Sequence, residues 1–328
     1  MISVPDFKQK QIAFIYLNYD EKMSIRNDNI VVKNKDGKII HQSTCYKLFT
    51  LFVAGNINIT TALLQKAKEF GFSIILLNFS LRPYSIINAY NEGNYLLRKK
   101  QYSYSGLEIA KRIILNKVKN QLTVLKNIRN KTDDLKTDIN KIEGYIDSIN
   151  QPNIELTQLL GYEGLSSKLY FKHLFANCNW ISRKPRVKHD MVNTMLDIGY
   201  TKLFNIIDAM LSSYGFDTFK GVLHQEFYNR KSLVCDLVEP FRPIIDLKIR
   251  KAYNLGQIKS EDFVISQNQY LLIGKKAIPY SSMLLKELLD YKLSIFSYIQ
   301  SYYRFFMKEH DFDRFPFFDI ESKKDADN

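Results

Sequence analysis

The stretch from 221 to 250, GVLHQEFYNRKSLVCDLVEPFRPIIDLKIR, gathers the side chains most able to do chemistry: His224, then Asp236, Glu239 and Asp246. One imidazole with one or two carboxylates is a hard nitrogen-and-oxygen donor set. It suits Mg²⁺ or Mn²⁺ better than a thiol-rich zinc site would. Asp236 and Glu239 are three residues apart, so a helical backbone would put them on one face about a turn apart. Pro240 complicates this, because the residue before a proline is biased away from the helical region. A proline is also well tolerated in the first turn of a helix. Spacing alone leaves two readings open. Either these residues hold a metal, or His224 is a hydrogen-bonded structural residue and the carboxylates pair with Arg230, Arg242 and Arg250 on a solvated face.

A second acid stands in GYEGLSSKLYFKHLF (161–175). Glu163 is expected just ahead of a helix carrying Leu165, Leu169 and Phe175, as a ligand or as a carboxylate at the positive end of the helix dipole. The run ISRKPRVKHD (181–190) places Arg183, Lys184, Arg186 and Lys188 around Pro185. Such a loop suits phosphate contacts, with Trp180 beside it for stacking, or is simply solvated. Arg183 and His189 also form an Arg-x5-His spacing, the kind that positions a 2′-hydroxyl attack in metal-independent ribonucleases. The chain carries no convincing Ser-His-Asp or reactive-cysteine motif.

The elements that must position these residues fall into two parts. IAFIYLN (12–18) reads as a strand, and DNIVVKNKDGKIIHQ (28–42) as two strands turning at Asp36-Gly37. TTALLQKAKEFG (60–71) reads as a helix with Thr60 or Thr61 as N-cap and Gly71 as C-cap. SIILLNF (73–79) and YSIINAY (84–90) read as further strands. From Tyr95 onward the pattern turns helical. Leu107, Ala110, Ile114, Val118, Leu122, Leu125 and Ile128 line one face, and helices are predicted over 134–149, 155–178, 190–213, 243–256 and 280–309. The prediction is an α+β chain: a small β-rich domain over 1–92, a larger all-α domain over 93–320, and a frayed tail over 321–328.

Composition bounds the partner. The 47 Lys and Arg against 34 Asp and Glu give a net charge of +13, which favours a polyanion, nucleic acid first. The 45% hydrophobic content is enough for real cores. Cys45, Cys178 and Cys235 lie far apart, which argues against a disulfide framework or a zinc finger. No signal peptide and no membrane-spanning run is read, so the expected compartment is the cytoplasm.

Taken together, the stretch "LH…R.SLV.DL.EPFRP..D" from Leu223 to Asp246 resembles the signature of the CRISPR-associated spacer-acquisition integrases. Glu163-Gly164 ahead of Tyr170-Phe171 is similar to that family's other acidic motif. Asp190, Asn193 and Tyr200 match its "D..N..L..GY" helix, Arg98 and Gln101 match its domain junction, and VAGNINITTALL (53–64) resembles its N-terminal turn and helix. The departures are Ser167, in place of a small apolar residue, and Pro185-Arg186-Val187, in place of a double-proline loop.

The resemblance implies a β-rich domain that dimerises and a helical catalytic domain. It also implies a Mg²⁺ or Mn²⁺ ion held by Glu163, His224 and Glu239, with Asp236 as a further ligand or an orienting neighbour. The implied reaction is attack by a DNA 3′-hydroxyl on a phosphodiester of a CRISPR array, or its hydrolytic counterpart. The implied partners are double-stranded DNA, a second copy of the chain, and a small ferredoxin-like CRISPR-associated protein in a heterohexamer. Arg183, Arg186, Lys188, Arg242 and Arg250 are the expected phosphate contacts. The aromatic segment FDRFPFFDI (312–320) either docks a partner or closes the helical core, with the core preferred. The competing readings are the metal-independent helical-bundle ribonuclease and a non-catalytic DNA-binding scaffold of the same fold.

Overall fold

A computed structural model describes residues 2–55, 57–89, 93–224, 227–308 and 312–322. The expected domain boundary at 92 and the tail beyond 322 lie outside the described residues. The N-terminal part is built on a four-stranded sheet of β1 (Gln11–Leu17), β5 (Leu48–Gly55), β6 (Ser73–Leu77) and β7 (Pro83–Ile87), in that order. β1, β5 and β6 run parallel and β7 returns antiparallel. Three strands, β2 (Lys22–Arg26), β3 (Asn29–Lys33) and β4 (Ile39–Thr44), make a separate antiparallel meander. The turn between β3 and β4 holds Gly37 at φ +76°, as the Asp-Gly signal predicts.

β5 is the central strand, and the sequence reading assigned no strand there. Its residues LFTLFVA are all buried, so no polar alternation marks it. The faces of the sheet do alternate. Leu51, Val53, Ile74 and Leu76 pack with α2 (Thr61–Phe70) and the meander in one core. Phe52, Ala54, Ile75 and Leu77 belong to a second core that continues into the helices. α2 itself is capped by the Thr60 side chain and ends at Gly71 in the left-handed region.

After a short helix α1 (Val4–Lys8) at the start, the remaining helices are α3 (Tyr95–Ser103), α4 (Glu108–Lys126), α5 (Asp133–Ile149), α6 (Leu156–Leu174), α7 (Met191–Tyr214), α8 (Ser232–Val238), α9 (Arg242–Asn254), α10 (Ala277–Leu289) and α11 (Lys292–Met307). α7 runs through the middle, capped by Asp190 at its start and by Gly215 at φ +84° at its end. Two expectations are corrected. The single helix predicted over 280–309 is α10 and α11, separated at Asp290-Tyr291. A hairpin, β8 (Val264–Ser266) with β9 (Gln269–Leu271), interrupts the part read as all helix; its strands are too short to show a period of two. The α+β class holds: a β-rich N-terminal region is followed by a mainly helical one. The 312–320 segment closes the helical core through Phe318 and Ile320, tied to α4 by Asn116 and Asn120. No helix among the described residues is long and apolar enough to cross a membrane.

Candidate active site

α4 carries a polar face, Asn116, Lys117, Asn120 and Gln121, buried among apolar neighbours. This spacing puts the four on one side of a helix. Asn120 donates from Nδ2 to Pro240 O (3.1 Å) and to Phe318 O (2.9 Å). It thereby clamps α4 to the 3-10 turn Glu239–Phe241 that joins α8 to α9. Pro240 sits in the first turn of that segment, so the backbone stays coiled through it.

Lys117 stands where three elements meet. Its ammonium ion-pairs with Glu163 of α6 and, at 2.6 Å, with Oε2 of Glu239. Ser167 Oγ donates to Glu163 Oε1 at 3.0 Å, and Arg242 Nε donates to Glu239 Oε1 at 2.9 Å. Glu239 is 5% exposed. Burial pushes its carboxyl up, but Arg242, Lys117 and His224 outweigh it and bring the pKa to about 2. The same balance holds the Lys117 pKa above the ordinary lysine value, with Glu239 and Glu163 overcoming burial. Glu163 is not at a helix start, since α6 begins at Leu156, about two turns earlier. The dipole reading of Glu163 therefore fails.

Asp236 and Glu239 do not share partners. Asp236 is fully buried and faces the 221–224 segment. It accepts hydrogen bonds from the backbone N–H groups of Val222 (2.6 Å), Leu223 (3.1 Å) and His224 (3.0 Å). Its Oδ1 lies 2.6 Å from His224 Nδ1. With Nδ1–H donating, Nε2 keeps its lone pair. Each Asp236 oxygen thus takes two of these contacts, Oδ1 from His224 and Oδ2 from Val222 and Leu223. Gly221 allows the close approach, because a Cβ there would lie 2.7 Å from Asp236 Oδ2 and 2.8 Å from Ser232 Cβ.

A further buried network lies beside Arg242. Tyr170 and Tyr200 donate to Asp246, and the Arg242 guanidinium stacks 4.5 Å from the centroid of the Tyr200 ring. Burial raises the Asp246 carboxyl to about 7 despite these donors.

The cluster opens on a cleft of about 1430 Å³ between the helices and the β6–β7 turn. Glu163, Glu239, Arg183, Arg186, Lys188 and Arg242 line it, as does Arg82 from the β6–β7 turn. Arg183 is braced by Asn193 (2.9 Å) and Asp197 (2.6 Å). Arg250 does not line the cleft; its charge is felt at Tyr170 and Cys178. Trp180 packs on Phe171 and Phe175, with one side toward the cleft. His189 Nε2 lies 3.0 Å from Asp190 Oδ2 and the residue is absent from the lining, so Arg183 and His189 do not converge as the ribonuclease reading requires.

The structure thus brings Glu163 and Glu239 to one ammonium, with His224 close enough to Glu239 to lower its pKa but not on the cleft wall. The three do not close to within 4.8 Å of one another. Among the described residues only Asp134, Asp138 and His173 do so. That set is already neutralised by Lys141 and Lys172, each 2.8 Å from Asp138. The sequence reading missed Lys117 and Asn120. Their signal was present as four polar residues on one side of a helix whose apolar stripe alone was read.

Acidic side chains gathered at the floor of a basic cleft, on an α+β scaffold, define a nuclease-type protein built to work on a polyanion. The chain belongs to the Cas1 family: the family described as CRISPR associated protein Cas1 matches residues 15–278. It is 34% identical over 224 residues to a CRISPR-associated endonuclease Cas1 of Thermodesulfovibrio yellowstonii, covering 65% of this chain and 70% of that one. Two solved structures share the fold. A Cas6-RT-Cas1–Cas2 complex superposes with a TM-score of 0.79 at 20% identity, over 94% of this chain and 36% of that one. A casposase bound to integration product superposes with a TM-score of 0.75 at 20% identity, over 94% and 95%.

Proposed function

We propose that this protein is a metal-dependent DNA endonuclease and integrase that inserts spacer DNA into a CRISPR array, with Glu163, His224 and Glu239 holding Mg²⁺ or Mn²⁺. The observation that carries the site is that Glu163 and Glu239, 76 positions apart, reach a single ammonium. Their oxygens therefore close around one cation. With His224 Nε2 added, the donors are hard oxygen and nitrogen, the set such ions prefer. When bound, the ion supplies Lewis-acid stabilisation of charge on the phosphoryl oxygens.

The remaining parts are the chain's own. Asp236 holds His224 in the tautomer that leaves Nε2 free. Arg242, fixed by Glu239 and Tyr200, offers its remaining N–H groups to a phosphate in the cleft. Arg183, Arg186 and Lys188 extend the positive wall along the DNA. A 3′-hydroxyl oxygen forms the new P–O bond, the bond to the leaving 3′-oxygen breaks, and the hydroxyl proton ends on that leaving oxygen or in solvent. The β-rich region over 1–92 serves as the dimerisation domain and 93–320 as the catalytic domain. The assembly partners are a second copy and a small ferredoxin-like CRISPR-associated protein, in a heterohexamer. The likeness to a solved Cas6-RT-Cas1–Cas2 complex supports the expectation of a Cas-protein partner.

The test is integration into a repeat-containing plasmid, with and without Mn²⁺. Glu163→Gln and Glu239→Gln should each lower the rate by at least about a hundredfold without loss of fold. EDTA should abolish the wild-type reaction. Retained strand transfer by Glu163→Gln would show that the site is misassigned, and DNA binding without turnover in the wild type would favour a scaffold.

A further inference from the structure

Among the described residues, Lys117 is the one side chain that ion-pairs with both proposed metal-binding carboxylates, and its own surroundings fix it there. It is 8% exposed on α4, with its ammonium on Glu163 and, at 2.6 Å, on Glu239. Asn116 and Asn120 lock α4 to Phe318, and Asn120 locks it to Pro240, so the helix cannot easily turn the lysine away. Gln121 reaches Ser167 Oγ at 3.3 Å, and Ser167 in turn donates to Glu163. The lysine is therefore built into the site. Glu239 is buried and Glu163 half-buried, and two carboxylates drawn to one ammonium would repel each other without a cation between them.

The charges that touch one another are Lys117 and Arg242, two positive, and Glu163 and Glu239, two negative. They sum to zero. A divalent ion entering the carboxylate pair meets a resident monovalent cation on the same oxygens, and like charges at contact distance in a buried setting repel by far more than in water.

We propose that Lys117 is a positioning residue that acts as a resident counter-cation. It holds Glu163 and Glu239 together in the metal-free protein, and it competes with the divalent ion for their oxygens. This rests on the metal-site reading above. Metal loading then requires the ammonium to withdraw from at least one carboxylate, and intrinsic metal affinity in the absence of DNA is weak. A DNA phosphate in the cleft adds the negative charge that restores balance, so DNA and the divalent ion bind cooperatively.

The experiment is Mn²⁺ binding to the full-length protein without DNA, followed by electron paramagnetic resonance, for wild type, Lys117→Gln, Lys117→Arg and Glu163→Gln. Removing the ammonium while keeping a polar side chain should tighten Mn²⁺ binding by roughly tenfold or more. The melting temperature of metal-free Lys117→Gln should fall and recover on adding Mn²⁺. Lys117→Arg should stay near wild type. A folded Lys117→Gln that binds Mn²⁺ no tighter than wild type overturns the proposal.

Should Lys117→Gln not fold, the wild type labelled with ¹⁵N-lysine decides. A slowly exchanging ammonium signal, assigned by its loss in Lys117→Arg, should shift or disappear on saturation with Mg²⁺. A signal unchanged at saturation overturns the proposal. Glu163→Gln separates the two levels. If Mn²⁺ binds it as tightly as wild type, the metal-site reading falls and this inference with it. If binding needs Glu163 but ignores Lys117, only the inference falls.

Discussion

Asp236 is a buried carboxylate whose two oxygens are both engaged by the 221–224 segment. Three backbone N–H groups and the His224 ring converge on its two oxygens. Hydrogen bonds to a buried charged group are each worth about 1.5–3 kcal/mol, and losing the charge weakens all of them together. Asp236→Asn should therefore lower stability by about 2–3 kcal/mol in urea unfolding. It should also weaken Mn²⁺ binding by about ten- to a hundredfold, because the ring loses the partner that fixes its tautomer. An Asp236→Asn protein with wild-type metal affinity would mean that His224 is no ligand. Glu239, three residues on, starts the 3-10 turn, lines the cleft and pairs with Lys117 and Arg242.

Elements set the precision of this arrangement. The 221–224 segment lies against α8 so closely that only hydrogen fits at Gly221; a Cβ would also come within 3.0 Å of the Ser232 backbone. Gly221→Ala should cost about 1–3 kcal/mol by overpacking and lower the integration rate as His224 is displaced. Gly164 is the control. It lies inside α6 with nothing within 4 Å of an added Cβ, so Gly164→Ala should raise stability by about 0.5–1 kcal/mol through helix propensity. Thermal melts of the two variants should move in opposite directions, and a fall in both would mean that α6 needs its glycine for another reason.

At the scale of the whole molecule, the sheet and helices share one core, and Lys202 is sealed inside it. Its Nζ lies 4.2 Å from the Phe14 ring centroid and 5.1 Å from that of Phe52, on β1 and β5, with no hydrogen-bond partner among the described residues. Burial pushes its pKa down to about 7, below the ordinary lysine value of 10.5. The unfolded chain therefore holds this proton more tightly between pH 7 and 10.5. Stability gains from this group as pH rises through that window, and the penalty is full below it. Lys202→Met should stabilise the fold by on the order of 2–4 kcal/mol at pH 6.5, and by much less at pH 10. Urea unfolding at both values checks this, and a gain independent of pH would mean that the lysine reaches solvent.

Much of this architecture was legible in the residues themselves. Local signals fixed α2 between Thr60 and Gly71, the Asp36-Gly37 turn, the apolar stripe of α4 and the cap at Asp190, because each depends on neighbours a few positions apart. Motif order also pointed to Glu163, His224 and Glu239. β5 stayed hidden because a strand buried on both faces has no period to read. Only the folded chain could decide that Lys117 sits between Glu163 and Glu239, that Asp236 serves His224, and that Arg250 is off the cleft. Each of those facts is a meeting of segments tens of residues apart, and such meetings follow from packing, which local spacing does not encode.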